Sequence, residues 1–239
     1  MYLCRFCGKS IVMKNFLLIV MVLASTSLFV QMGFAHTDIA RIVPGAEAQL
    51  NVLLNRPALV SPAAAVPLGR NWFRLELDSH IFSDQVSLNQ VRAVLLDFEN
   101  HDSIFDGTRN RRELNIVSRT AGEIIADFVS ITPAPLGIQI RTNYRVTMRT
   151  IESTDTRFVF EIIQTPEDSA SNRNMRNHRA VRFVEETIIN GRTYTYIRLY
   201  SINDVNGSML PNARSVFERN AAPANEENMQ LIINAAKLR

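Results

Sequence analysis

Residues 181–201 read VRFVEETIINGRTYTYIRLYS, in which two alternating runs flank Asn190-Gly191. An Asn-Gly pair between alternating segments is the strongest short signal of a β-hairpin, because a type I′ turn needs two consecutive positive φ angles. A two-residue loop also fixes the register, so that Ile189 faces Arg192 and every further pair follows. The sequence therefore predicts a tight antiparallel hairpin here.

This register sorts the side chains of the hairpin onto two faces. One face carries Val181, Phe183, Glu185, Thr187, Tyr194, Tyr196, Arg198 and Tyr200. The other carries Arg182, Val184, Glu186, Ile188, Thr193, Thr195, Ile197 and Leu199. The first face is aromatic with two charges and the second is an ordinary amphipathic surface, and the pattern leaves open which of them is turned inward.

Alternation of apolar and polar residues predicts strands along most of the chain before the hairpin. The first contains Phe73, Leu75 and Leu77 between charged residues, and the cleanest alternation runs from Ile138 to Met148. Six further strand segments, the last two of which are the hairpin strands, lie near 112–118, 122–131, 137–151, 156–165, 179–189 and 192–202. Each strand has one polar, solvent-facing side and one apolar side, and this pattern indicates an antiparallel sheet of seven strands. The polar stretch 166–178 predicts an exposed loop.

Helical spacing occurs after the first strand and at the C-terminus. Ser87 is a suitable N-cap for a helix whose apolar face consists of Val91, Val94, Leu95 and Phe98. Pro211 suits the first position of a long final helix, and Pro223 is expected to kink or interrupt it. The stripe that must cover an apolar surface consists of Met229, Ile232, Ile233 and Ala236.

The N-terminal residues 1–35 have the three parts of a secretory signal. Three basic residues and no acidic ones precede an apolar run, and small residues stand at the −3 and −1 positions of a cleavage site after Ala35. This predicts export to a periplasmic or extracellular compartment; the alternative is an uncleaved membrane anchor. Residues 36–70, which contain several prolines, are then a lead-in, and the domain spans 71–239.

Removal of the signal changes the charge and the cysteine count. The chain carries 26 basic and 23 acidic residues, so loss of three basic residues leaves a net charge of zero and no support for nucleic-acid binding. Cleavage also removes Cys4 and Cys7, and a lone Cys-x-x-Cys is at best half of a zinc site. The remaining chain has 22 arginines but only Lys237 among lysines. Arginine forks can bind anionic head groups or carboxylates, although compositional bias of the genome is the simpler explanation.

The order of elements resembles the helix-grip fold of the START-like superfamily, which includes lipid-transfer domains and polyketide cyclase-like proteins. The resemblance covers 71–239 and depends on VRAVLLDFENH at 91–101 and on the hairpin followed by the helix from Pro211. It implies an α+β fold in which a curved antiparallel seven-stranded sheet grips a long C-terminal helix, with one further helix after the first strand. It also implies a cavity that binds a lipid, sterol or polyketide-like molecule, with 96–107 near its mouth.

Six residues are the candidate ligand contacts: Tyr144, Phe160, Phe183, Glu185, Tyr196 and Arg198. Glu185 and Arg198 stand diagonally across the hairpin, so they would form a charged pair in the cavity or an ion pair on the solvent side. The three candidates Tyr144, Phe160 and Phe183 would form the cavity wall or simply pack against the final helix.

Motifs for catalysis, metals or cofactors are absent from the sequence. Acidic residues gather around His101, but their spacing matches no calcium loop, and no cofactor or metal is expected. The predicted function is binding or transport of a hydrophobic small molecule without chemistry, with possible contact to a membrane surface. The alternatives are a cyclase- or hydratase-like enzyme that uses Glu185 and Tyr196, and an envelope protein-interaction module.

Overall fold

The computed structural model describes residues 45–59, 65–106, 111–133, 137, 139–209 and 212–239. The predicted signal segment with its cleavage site, and Pro211, lie outside these residues. Pro44–Arg239 form one compact unit. Within the described residues, no helix combines the length and the apolar character needed to cross a membrane.

The described strands form one antiparallel sheet. They are β1 (Ala58–Leu59), β2 (Ala65–Gly69), β3 (Trp72–Ser83), β4 (Arg111–Arg119), β5 (Glu123–Pro133), β6 (Gln139–Ser153), β7 (Arg157–Gln164), β8 (Met175–Ile189) and β9 (Arg192–Asn206). The α-helices are α1 (Ala46–Leu53), α2 (Leu88–Leu95), α3 (His101–Ile104), α4 (Pro166–Ser171) and α5 (Ala213–Ala236), and a 3₁₀ turn spans Gly207–Met209.

The sheet topology confirms the predicted architecture. Strands β4 to β9 follow one another as a meander, and β3 then pairs with β9, so the first long strand lies beside the last one. All seven predicted strands are present, and the short β1 and β2 add to them by pairing with β3. Irregular register in β4, β6 and β8 bends the sheet, because a bulge bends its strand and increases the local twist.

The predicted hairpin is confirmed in turn and register. Asn190 and Gly191 have φ angles of 53° and 75°, as a type I′ turn requires. Ile189 pairs with Arg192, and Glu185 pairs with Tyr196. The register set by the turn holds from Ile189 back to Arg179, and it shifts between Arg176 and Arg179 near the start of β8.

The helix α2 begins at the predicted cap. The Ser87 hydroxyl accepts a hydrogen bond from the Gln90 backbone N–H at 3.3 Å, and Gln90 Oε1 accepts one from the Ser87 backbone N–H at 2.8 Å. This capping box satisfies two backbone donors at the helix start. The helix ends at Leu95, earlier than predicted, yet Phe98 beyond its end is still buried.

The long helix α5 lies across the sheet, with its predicted apolar stripe buried. Met229, Ile232, Ile233 and Ala236 are each at most 1% exposed. Two polar contacts hold the helix: the Asn225 amide donates to the Ser79 hydroxyl at 2.7 Å, and Arg239 pairs with Asp97 after α2.

Of the two effects expected of Pro223, the interruption does not occur, and the kink stays a prediction. Proline removes one backbone donor from the helix, but α5 continues through it as a single element. Ala221 and Ala224 on either side are buried, and this packing offsets the loss of one hydrogen bond.

Described residues before position 71 are folded as well, because α1 buries Leu50 and Leu53 and the short strands β1 and β2 extend the sheet from β3. One further expectation needs correction. The predicted loop at 166–178 contains α4 and the start of β8. Thr165 caps α4, and Pro166 occupies its first turn, where a missing N–H costs no helix bond.

Candidate functional site

A cavity of about 170 Å³ lies between the inner face of the sheet and the helices α2, α3 and α5. A site needs roughly 10–15 Å³ to hold one water molecule, so this space exceeds that limit more than tenfold. The main apolar core adjoins it, built from α2, α5 and the same face of the sheet. The interior is therefore hollow at one place rather than uniformly packed.

Apolar side chains form most of the lining. They come from β3, from the strands β5 to β9 and from the three helices, and they include Leu75, Leu77, Phe98, Phe128, Met148, Phe160, Ile162, Met175, Leu199, Phe217, Ala221, Ala224 and Ile232. Tyr144 and Phe160, both predicted as wall residues, line the cavity. Contact of these two with a ligand stays a prediction.

Arg182 projects into the cavity from the middle of β8. It is paired with Phe160 on β7 and with Leu199 on β9, so its strand neighbours are apolar on both sides. The residue is only 9% exposed. Burial, with a smaller contribution from the positive charge of Arg112, lowers the pKa of Arg182 to about 9. The guanidinium is therefore charged at neutral pH.

Arg112 supplies a second guanidinium from β4. It lies over the rings of Phe105 and Phe128, at 5.5 Å and 6.0 Å from their centroids. Such stacking uses the face of the guanidinium and leaves its N–H edge free to donate hydrogen bonds. Neither Arg112 nor Arg182 has an acidic partner within the described part of the chain.

Tyr144 and His178 lie together in the same cavity. Their ring centroids are 5.0 Å apart, and Tyr144 also packs on Phe128 at 5.2 Å. His178 Nδ1 is 2.5 Å from Asn203 Oδ1, so Nδ1 carries the donor proton. Burial lowers the pKa of His178 to about 4, and the positive charges of Arg182 and Arg112 act in the same direction. This imidazole is neutral at pH 7.

His101 on α3 completes the polar part of the lining. Burial, and after it the charge of Arg112, lowers the pKa of His101 to about 4. Its ring packs 4.8 Å from Phe105 and edge-on to Phe128. Both cavity histidines are thus neutral at physiological pH, and none of the described lining residues is an aspartate or glutamate.

Six arginines on the other face of the sheet differ, because each of them has an acidic partner. Ion pairs of 3.0 Å or less join Arg74 to Asp204, Arg141 to Glu113, Arg145 to Asp127, Arg149 to Glu161, Arg157 to Glu185 and Arg198 to Asp78. Most outward-facing arginines are therefore paired, although Arg176 on that face lies 4.5 Å from the Trp72 ring centroid and has no acidic partner among the described residues.

The sequence leaves open which hairpin face lines the cavity, and in the structure it is the face of Arg182. Phe183, Glu185, Tyr196 and Arg198 lie on the outer face, whereas Met175, His178 and Arg182 of β8 line the cavity. Both faces are buried along this hairpin, so the local pattern could not distinguish inner from outer. The position of α5 decides it, through packing that is distant in sequence.

The outer face nevertheless holds a buried polar cluster. The Arg198 guanidinium donates two hydrogen bonds to the Asp78 carboxylate, at 2.8 Å and 2.6 Å. His80 Nε2 lies 2.9 Å from Asp78, and His80 Nδ1 shares a 2.5 Å hydrogen bond with the Tyr196 hydroxyl. The predicted Glu185–Arg198 pair does not form, because each residue binds a neighbouring strand instead.

The alternative of a cyclase- or hydratase-like enzyme named Glu185 and Tyr196 as its reactive residues. Neither residue lines the cavity. Three or more histidine, cysteine, aspartate or glutamate side chains positioned to hold a metal are not found among the described residues. Sequence reasoning missed Arg112, Arg182 and the buried Asn228 of α5. The abundance of arginine was the one signal pointing toward them.

Comparison with protein-family models gives no match, and comparison with curated proteins gives none either. Among solved structures, the chain is similar to human STARD10, with 10% identity over 72% of each chain and a TM-score of 0.49. It is also similar to a STAR-related lipid transfer protein fragment from Xanthomonas axonopodis, with 9% identity over 74% of this chain and 99% of that one, and a TM-score of 0.46. The steffimycin-pathway di-domain ARO/CYC StfQ gives 14% identity over 70% of this chain and 51% of that chain, with a TM-score of 0.44.

Proposed function

We propose that this protein binds and carries a small hydrophobic molecule in the cavity between the sheet and α5, without chemistry. The observation that carries the proposal is the cavity itself, with its volume of about 170 Å³ and its mostly apolar lining. Ligand sites are concave and largely apolar, with a few polar groups that set orientation. This cavity fits that description.

Energetics support a ligand rather than an empty space. Protein interiors are close-packed, and residual apolar cavities cost roughly 24 cal/mol per Å³. At that rate a cavity of 170 Å³ would cost about 4 kcal/mol if it stayed empty. A ligand that fills it recovers part of this free energy as binding energy.

A neutral alkyl probe tests this proposal without reference to charge. Delipidated protein is titrated with 1-decanol by calorimetry, and we expect saturable binding of one molecule per chain. Ala224→Leu should weaken this binding at least tenfold, because the 4%-exposed Ala224 lines the cavity and the larger side chain occupies it. The matched control is Ala121→Leu in an exposed turn, which should leave the affinity unchanged.

Two results would contradict the proposal. Folded wild-type protein that shows no saturable decanol binding has no usable cavity. Equal decanol affinity in Ala224→Leu and wild type, with both variants melting cooperatively, places the alcohol elsewhere on the protein.

We further propose that the protein is exported and that contact with a membrane surface supplies its ligand. The basic, apolar and small-residue order of 1–35 supports export. An apolar ligand of this kind is found mainly in membranes, which supports the second part.

A further inference from the structure

Two positive charges without a counter-charge lie in the proposed ligand cavity. Arg182 is 9% exposed and is flanked by Phe160 and Leu199, and Arg112 lies against Phe105 and Phe128. No acid lines the described cavity. A charge removed from water is costly unless it is paired and hydrogen-bonded.

We propose that the ligand is an anionic amphiphile whose carboxylate or phosphate group binds between Arg112 and Arg182 while its apolar body occupies the rest of the cavity. This inference rests on the proposed function and specifies its ligand class. The arginine fork is the side chain best suited to such groups, because its paired N–H donors match two oxygens at once.

The surroundings of the two arginines favour an anionic ligand that binds them over two misplaced surface charges. Six sheet arginines on the opposite face each pair with a carboxylate at 3.0 Å or less. The chain therefore provides acidic partners for most arginines of the outer face, whereas the two arginines that line the cavity have none among the described residues. In this proposal the ligand supplies the negative charge that balances Arg112 and Arg182.

Further polar groups surround the same place. Tyr144 is 7% exposed, and burial raises the pKa of its hydroxyl, which therefore keeps its proton at neutral pH. Asn228 on α5 is 2% exposed, and neither its amide nitrogen nor its amide oxygen has a described partner. Both residues line the cavity and can donate a hydrogen bond to an anion.

The charge of the cavity predicts a selectivity order. His101 and His178 are neutral at pH 7, so the two arginines determine the sign of the electrostatic potential. An alkyl chain with an anionic end should bind more tightly than the same chain with a hydroxyl, and a cationic end should bind least.

The test compares decanoate, 1-decanol and decylammonium at pH 7.5 by calorimetry on delipidated protein. We expect decanoate to bind at least roughly tenfold more tightly than decanol, as one charged hydrogen-bonded contact would give. Arg182→Met should abolish this preference while decanol still binds. Arg112→Met serves as the second cavity variant, and Arg145→Met, on the opposite face and paired with Asp127, is the control that should retain the preference.

Each outcome decides between the two proposals. If decanol binds but decanoate binds no better in wild type, the anion inference is wrong and the hydrophobic carrier stands. If neither molecule binds, the carrier proposal fails as well. A preference that survives in both Arg182→Met and Arg112→Met would also overturn the assignment.

Free acetate and inorganic phosphate distinguish the source of the anion. Tight binding of decanoate with little binding of acetate or phosphate supports an amphiphile. Equal binding of free phosphate and decanoate, reduced in Arg182→Met, would show a small-anion site that does not use the apolar cavity, and it would contradict the amphiphile assignment.

Discussion

The same substitution on the two faces of one hairpin should change stability in opposite directions. In ligand-free protein Arg182 is buried without a partner, whereas Arg198 binds Asp78 through two hydrogen bonds. Arg182→Met removes an unpaired charge and keeps an apolar chain of similar length. Arg198→Met removes one member of a partly buried pair and leaves the other, Asp78, with only His80 as a partner.

The structure gives the approximate size of both effects. Burial lowers the pKa of Arg182 from the usual value of a guanidinium to about 9, and at 1.36 kcal/mol per unit the penalty for the charged form reaches about 5 kcal/mol as an upper limit. Replacement of buried charges by apolar residues has stabilised proteins by about 1–4 kcal/mol, whereas removal of one partner of a buried pair costs about 3–5 kcal/mol. We therefore expect a gain of about 1–4 kcal/mol for Arg182→Met. For Arg198→Met, whose partners retain some exposure, we expect a loss of about 2–4 kcal/mol.

Urea denaturation of delipidated protein at pH 7.5, followed by circular dichroism, measures both changes. Arg145→Met is the control, since an exposed ion pair contributes about 0–1 kcal/mol. Destabilisation of ligand-free protein by Arg182→Met of more than about 1 kcal/mol, the scale of one hydrogen bond, would refute the reasoning. It would mean that the guanidinium makes a stabilising contact in the native protein.

Three other predictions concern pH, the turn and the N-terminus. Burial lowers the pKa of His101 and His178 from 6.5 to about 4, so the unfolded chain binds more protons between these values. Stability should be complete above about pH 6.5 and fall by on the order of 3 kcal/mol per histidine as the pH drops to 4; a flat urea midpoint from pH 7 to pH 4 would contradict this. Gly191→Val places a β-branched residue at φ 75° and should cost about 1–2 kcal/mol in urea denaturation, and an unchanged midpoint would mean that the turn tolerates side chains. N-terminal sequencing of protein from the exported fraction should begin at His36, and an intact leader there would favour the membrane anchor instead.

Local signals in the sequence predicted most of the elements. Asn190-Gly191 fixes the hairpin because two positive φ angles can be supplied within two residues. Ser87 begins α2 because its hydroxyl bonds a donor only three residues away. The stripe from Met229 to Ala236 predicts the buried face of α5 because helical spacing needs no distant partner.

The inner face of the hairpin depends on contacts that a local pattern does not contain. Phe183 and Tyr196 on the outer face are as buried as Ile197 and Leu199 on the inner one, so hydrophobicity favours neither. Arg182 alternates with apolar neighbours as a solvent-facing arginine would. Only the placement of α5 over that face shows that it is enclosed.

The continuity of α5 through Pro223 also depends on tertiary contacts that the local sequence pattern does not contain. Intrinsic propensity disfavours proline inside a helix by about 3 kcal/mol, and the sequence alone offers no compensation. Burial of the alanines on either side supplies it in the folded chain. Tertiary packing overrides the local preference here.

A crystal structure of the protein with 10-bromodecanoate tests the central claim most directly, because the anomalous signal of bromine locates the alkyl chain. We expect bromine within the cavity, in contact with apolar lining such as Phe160 or Ile232, and the carboxylate at Arg182. Bromine sites confined to the protein surface at saturating ligand, with the cavity still open and unfilled, would contradict the account.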